Sequence, residues 1–181
     1  MSSAASVLWL QVGHFFVDPE STLAPELEIA PLTAAELLNV LDAIQSYVTA
    51  LGPAYAHEPH GTAGPRWVPT TVANLAQAAA ALSDVGARDG LQVDLRGMHV
   101  GERLLPDLSV GVWPDSLTLD YDPGPAWTAE GLAALMELLL DIQALAPAAI
   151  IQLDGRHLTD KWQARWRAAF AQYRASRAAG A

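Results

Sequence analysis

The sequence predicts an α+β fold, a two-layer sandwich in which helices pack on one face of a mixed, mainly antiparallel sheet of about five strands. Three observations lead to this prediction. The chain has 181 residues, the length of a single domain over residues 1–181, and 51% of them are apolar, which is enough for a core. Segments in which apolar and polar residues alternate predict strands, and apolar residues spaced by three and four predict helices. The expected order is β-α-α-β-β-β-α-β-α.

The first elements are predicted as a strand, a loop and a helix. Residues 7–17 are expected to be a central strand, because branched and aromatic residues occupy both of its faces. Residues 19–31 are expected to be a loop. A helix then begins after Thr33, where Glu36 completes a capping box, and Gly52-Pro53 is expected to end it.

The middle of the chain is predicted to begin with a long loop. Residues 52–69 carry four prolines and three glycines, which favour irregular structure. An alanine-rich helix is expected over about residues 72–85. Residues 91–96 alternate strictly and predict a half-buried strand, and the shift of the apolar phase at Gly97 predicts a bulge or a turn.

The last part of the chain predicts a hairpin and two helices separated by a strand. Leu108–Val112 and Leu117–Tyr121 alternate on either side of a proline-containing turn, which indicates an antiparallel pair. Thr128 is expected to cap a helix that ends at Leu145.

A short strand over residues 149–153 and a final helix over about residues 158–175 complete the predicted fold. Residues 176–181 are expected to be a frayed tail.

The charge of the chain is strongly acidic and unevenly distributed. Twenty acidic residues against ten basic residues give a net charge of −10. Residues 1–65 and 104–155 contain seven and eight acids and no lysine or arginine, whereas residues 156–181 contain six bases and one acid. This charge argues against nucleic acid or an anionic membrane as a partner and favours a basic protein.

The composition also bears on the compartment. The chain has no cysteine, which excludes disulfide scaffolds and thiolate metal sites. No basic segment precedes the first apolar run, and no apolar run is long enough to span a membrane. We therefore expect a cytoplasmic protein.

Several acidic and polar side chains are predicted to lie on the face of the sheet that points away from the helices. The candidate binding residues are Asp94, Thr118, Asp120, Asp122 and Trp113. Crowded carboxylates can bind a hard cation or perform acid–base chemistry. They can also be the ordinary solvated side of an antiparallel sheet, or an acidic surface that binds a partner without chemistry.

A second candidate site is a histidine-rich segment. His57, Glu58 and His60 are the densest group of potential metal ligands. Pro59 and Gly61 within the same segment favour a solvated loop over a built metal site. We therefore predict no metal and no cofactor.

The final helix combines an aromatic stripe with basic residues. Its aromatic residues are expected to pack on the sheet while the basic side chains extend outward. The candidate contacts to acidic segments or to a second copy of the chain are Lys161, Arg165, Arg167 and Arg174.

These observations favour a non-enzymatic, cytoplasmic protein-binding domain that presents an acidic surface to a basic protein, as an immunity protein or antitoxin would. No short catalytic motif is found in the sequence. Two alternatives stay open. One is a small metal-assisted hydrolase that uses the carboxylates or the histidines, and the other is a homo-oligomeric structural protein held through the basic helix.

Overall fold

The computed structural model describes residues 4–17, 26–59, 64–83, 89–154 and 159–180. Within these ranges the helices are α1 (Ala4–Val12), α2 (His14–Val17), α3 (Ala34–Tyr47), α4 (Leu75–Ser83), α5 (Ala129–Leu145) and α6 (Asp160–Gly180). The strands are β1 (Glu26–Ala30), β2 (Ala50–Glu58), β3 (Arg66–Thr70), β4 (Gly90–Arg96), β5 (His99–Val100), β6 (Arg103–Leu104), β7 (Leu108–Val112), β8 (Leu117–Tyr121) and β9 (Ile150–Asp154).

The predicted α+β class is confirmed, but the sheet is larger than expected. Seven strands pair in the order β3-β2-β4-β7-β8-β1-β9, and β5 and β6 form a separate small hairpin. Every pairing between described strands is antiparallel. The prediction of five strands in a mixed sheet is therefore wrong. Strands β8 and β9, which α5 connects, are not neighbours because β1 lies between them.

The sheet buries one face against the helices and leaves the other open. On β4, the side chains of Leu91, Val93 and Leu95 are buried in the core, whereas Gln92 and Asp94 point to the opposite side. This alternation is the one that the sequence predicts for a half-buried strand. We call the side opposite the helices the open face.

Helix α3 begins as predicted and ends earlier. The Thr33 hydroxyl accepts a hydrogen bond from the Glu36 amide (3.3 Å), and the Glu36 carboxylate accepts one from the Thr33 amide (2.9 Å). The helix stops at Tyr47 rather than at residue 52, because the following backbone is extended. The amide of Thr49 donates to the carbonyl of Arg96 (3.2 Å), which brings the chain into β2.

Helices α5 and α6 form much of the layer that covers the sheet. The Thr128 hydroxyl caps α5 as predicted, accepting from the Gly131 amide at 3.1 Å. On α6, Trp166, Phe170 and Tyr173 are buried, so the aromatic stripe packs into the core as expected. Helix α6 extends to Gly180, and residues 176–180 are therefore helical rather than a frayed tail.

The predicted first strand is wrong, because residues 4–17 form α1 and α2. The buried positions are Ala5, Leu8, Val12, Phe15 and Phe16. The spacing of three and four between Ala5, Leu8 and Val12 is that of one helix face. In a segment that is apolar on all sides, the spacing of apolar residues cannot distinguish a strand from a buried helix. Here α1 packs against α5 and α6, and this packing favours the helix.

Two predicted loops contain strands instead. β1 lies within residues 19–31 and is paired on both sides, by β8 and by β9. β2 and β3 occupy most of residues 52–69. Proline misled the prediction, because Pro53 lies at a register irregularity of β2 and Pro69 lies on the edge strand β3, two places where a strand tolerates proline.

The connection after β4 is a turn, as the phase shift at Gly97 predicted. Gly97 has a φ of +60°, a left-handed conformation that favours glycine. The hydroxyl of Thr49 donates to the Gly97 carbonyl and ties this turn to the start of β2. None of the helices in the described ranges is both long and apolar enough to cross a membrane.

Candidate binding face

The open face carries an aromatic cluster at the end of the sheet formed by β3, β2 and β4. Trp67 on β3 pairs with His57 on β2, and His57 pairs with Gly90 on β4. The ring of Trp113, which follows β7, lies over Gly90, and a Cβ atom on Gly90 would be 2.4 Å from its Cζ3 atom. The absence of a side chain at Gly90 lets the Trp113 ring reach across β4.

The rings of this cluster are close to one another. The centroid of His57 lies 5.0 Å from that of Trp67 and 6.1 Å from that of Trp113. The two indole rings meet edge to face at 6.0 Å. Nδ1 of His57 donates to Oδ1 of Asp89 at 2.5 Å, which fixes the orientation of the imidazole. Trp67 is 42% exposed. We call Trp67, His57 and Trp113 the aromatic cluster.

A row of carboxylates crosses the same face further along the strands. Asp94 on β4 lies opposite Ser109 on β7, which lies opposite Asp120 on β8. The Ser109 hydroxyl donates to Asp94 Oδ1 (2.9 Å), and the side-chain amide of Gln92 donates to Asp120 Oδ2 (3.4 Å). Asp120 also shares a hydrogen bond with Glu26 on β1. We call Asp94, Asp120 and Glu26 the acidic row.

The environment of Asp120 favours its protonated form. Burial raises the pKa of the Asp120 carboxyl above its ordinary value, and the hydrogen bond with Glu26 opposes that rise. A hydrogen bond between two carboxyl groups needs one proton between them. A positive charge beside the pair would favour the ionised form of both carboxyl groups.

A depression of about 410 Å³ lies over one end of the acidic row. Its charged lining residues are Asp94, Arg96, Asp107, Asp120 and Asp122. With four carboxylates and one guanidinium in its lining, the depression is more acidic than basic, which favours contact with positive groups.

The predicted binding residues all lie on or beside the open face. Asp94, Asp120 and Asp122 meet in the depression. Thr118 is on β8, two residues before Asp120 and on the same side of the strand. Trp113 belongs to the aromatic cluster, at the other end of the face.

Several residues of the face stand outside the predicted binding set. His57 is predicted only as a potential metal ligand in a loop, and the sequence analysis indicates no role for Trp67, Asp89 and Glu26. The alternation of glutamate with leucine and isoleucine in β1 was the available signal for Glu26. Asp107 lies outside any strand, so no periodicity indicates it.

The structure describes two of the three potential metal ligands in the histidine-rich segment and places them apart. His57 and Glu58 are successive residues of β2, so their side chains point to opposite faces. His57 contacts Asp89, and Glu58 forms an ion pair with Arg66 at 3.2 Å. His60 lies outside the described residues. Among the described residues no group of three or more histidines and carboxylates is arranged to hold a metal ion.

The basic residues of α6 are exposed on the helix layer, away from the open face. The predicted contact residues are Lys161, Arg165, Arg167 and Arg174. The Arg165 guanidinium lies over the ring of Trp162, 5.6 Å from its centroid. One contact of α6 with the acidic segment 104–155 is the ion pair of Arg177 with Glu137, at 2.8 Å. Contact with a second copy of the chain stays a prediction.

His14 on α2 is exposed and lies beside two aromatic rings. Its ring lies against those of Phe15 and Trp162, with centroids 4.3 and 5.1 Å away. Partial burial, together with the nearby charge of Arg165, lowers the pKa of the imidazole.

Comparisons with known proteins give one structural likeness. No protein-family model matches this chain, and no curated protein matches it. A chain from the crystal structure of the toxic C-terminal tip of CdiA from Pseudomonas aeruginosa in complex with immune protein is similar, with 13% identity and a TM-score of 0.43. The match covers 72% of the present chain and 86% of that chain.

Proposed function

We propose that this chain is a non-enzymatic binding domain whose open face binds a basic protein, as an immunity protein or antitoxin binds a cationic toxin. The observation that supports this most directly is the charge of the open face. Acidic side chains from β1, β4 and β8 and the segments beside them converge on it, and in the depression Arg96 is the single base among the lining residues. Complementary charge accelerates encounter and selects the partner.

The width of the open face and the hydrogen bonds that hold its side chains suit a protein ligand. Seven strands spaced about 4.8 Å apart make it about 29 Å wide, close to the side of a standard interface of about 800 Å² per partner. The hydroxyl of Ser109 and the amide of Gln92 hold the carboxylates of Asp94 and Asp120 in place. A partner then meets a surface that needs little reordering on binding.

Two variants with equal net charge test the proposal. One neutralises the open face through Asp94→Asn, Asp120→Asn and Asp122→Asn, and is called the open-face variant. The control neutralises three exposed acids elsewhere: Asp42 on α3, Glu102 at the β5–β6 turn and Asp160 on α6. Because both lose three negative charges, a difference between them reports the location of the charge and not its total.

The partner is first captured from lysate at low salt on immobilised wild-type protein and identified, and the purified partner is then titrated by calorimetry. We expect a basic protein whose affinity falls at least about tenfold, or about 1.4 kcal/mol, for the open-face variant, and little for the control. Affinity should also fall as salt rises. Equal losses for both variants, or capture of no basic protein at low salt, would refute the proposal.

The immunity role has its own readout. If the purified partner arrests growth when it is expressed alone, co-expression of the wild-type chain should restore growth, and co-expression of the open-face variant should not. A partner that is harmless when expressed alone would remove the immunity role and leave the binding role standing.

A further inference from the structure

The aromatic cluster groups one ring from β2, one from β3 and one from the residue after β7 on an exposed part of the open face. Most tryptophan side chains of this fold face the core, as Trp127 and Trp166 do. Trp67 instead is 42% exposed, and Tyr55, two residues before His57 on the same side of β2, is 37% exposed. Exposed aromatic residues that are grouped in this way are the usual anchors of protein interfaces.

The chemistry of the cluster favours a cation with a flat, apolar face. Indole rings attract positive charge through the negative potential above the ring plane, and a guanidinium group both stacks on such rings and donates several hydrogen bonds. The hydrogen bond between Nδ1 of His57 and Oδ1 of Asp89 holds the imidazole beside both indole rings and places the Asp89 carboxylate next to the cluster. A guanidinium group therefore suits the exposed faces of these rings better than an ammonium group does.

We propose that the aromatic cluster of Trp67, His57 and Trp113 is a subsite for one arginine side chain of a basic protein partner. This inference rests on the proposed function and adds the identity of an anchor residue. The acidic row attracts any positive group, whereas the aromatic cluster discriminates between arginine and lysine because only guanidinium is planar.

The two parts of the face are close enough for one segment of chain to reach both. Gly90, under the Trp113 ring, and Asp94, in the acidic row, are four residues apart on β4, which corresponds to about 13 Å. An extended peptide of six residues spans about 20 Å. A hexapeptide that lies along β4 can therefore place one side chain on the aromatic cluster and another on the acidic row.

The test uses two peptides of equal charge, capped hexa-arginine and capped hexalysine, titrated against the protein at low ionic strength. Wild-type protein should prefer the arginine peptide by about three- to tenfold. Trp67→Leu and Trp113→Leu should each reduce this preference towards one, because the affinity for the arginine peptide should fall more than the affinity for the lysine peptide. Trp9→Leu, the same substitution on α1 in the helix layer, should keep the full preference.

The outcomes separate this inference from the proposed function. If wild-type protein binds both peptides equally, or if the preference survives in both leucine variants, the arginine subsite is wrong. If the open-face variant binds both peptides as tightly as wild-type protein does, the acidic face is not the binding surface and the proposed function is wrong. If neither peptide binds at low ionic strength, both are wrong. Trp67 lies on an edge strand and is partly exposed, so Trp67→Leu keeps the test available if Trp113→Leu does not fold.

Discussion

Replacement of Gly90 by alanine tests the packing that forms the aromatic cluster. A Cβ atom at this position would lie 2.4 Å from Cζ3, 2.7 Å from Cε3 and 2.9 Å from Cη2 of Trp113. These distances are far below van der Waals contact, so the indole ring must move off β4. Because the same ring contacts His57 and Trp67, its displacement opens the cluster.

The expected cost is that of overpacking, about 1–3 kcal/mol in the free energy of unfolding. For a chain of this length about 1 kcal/mol lowers the melting temperature by about 2–4 °C. Gly124→Ala is a matched control, because a Cβ atom there meets nothing within 4 Å and its backbone is not left-handed. That control should be neutral or stabilising by about 0.4–1 kcal/mol, since alanine restricts the unfolded chain.

The assay is urea denaturation of four proteins that form a double-mutant cycle: wild type, Gly90→Ala, Trp113→Leu and the variant with both substitutions. With the indole removed, the alanine at position 90 has nothing to collide with, so most of its cost should disappear in the double variant. Gly90→Ala should also lose the preference for the arginine peptide. The reasoning is refuted if Gly90→Ala is as stable as wild-type protein, or if its cost is the same with and without the Trp113 ring.

Three further predictions concern the core, a helix cap and the acidic row. Trp166 is fully buried, so Trp166→Ala should cost about 3–5 kcal/mol in chemical denaturation, and a cost below about 1 kcal/mol would contradict its burial. Thr33→Ala removes the cap of α3 and should cost about 0.5–2 kcal/mol, measured in the same way, whereas an unchanged midpoint would argue against the capping box. The pKa of Asp120 is raised in the folded state, so the stability that this group contributes is complete below its ordinary pKa of 3.8 and is lost as pH rises. Asp120→Asn should therefore raise the free energy of unfolding relative to wild-type protein at about pH 7, with a gain that shrinks towards about pH 4, and an equal effect at both pH values would contradict this.

Local signals identified the elements whose residues are close in sequence. The capping box of Thr33 and Glu36, the cap of α5 at Thr128 and the β7–β8 hairpin are confirmed because each depends on residues within a few positions of one another. The predictions that were wrong concern segments in which proline residues or uniform apolarity conceal the regular spacing of buried positions. Residues 7–17 are helical, and β1, β2 and β3 lie where loops were expected.

The residues of the candidate site also differ in whether a local sequence pattern indicates them. Asp94 and Asp120 were predicted because each alternates with buried residues in its own strand. The grouping of Trp67 and His57 with Trp113 has no such signal, because the prolines and glycines of residues 52–69 favour a loop and because the nearness of these rings depends on the order β3-β2-β4-β7. That order has no local signature in the sequence.

By itself, therefore, the sequence determined the α+β class, the acidic character of the surface and the side of each alternating strand that faces water. Only the tertiary structure decided that β1 lies between β8 and β9, which brings Glu26 to Asp120, and that Gly90 leaves room for the ring of Trp113. The physical reason is that alternation is set by the pleat of one strand, whereas neighbours across a sheet are set by the pairing of segments far apart in the chain.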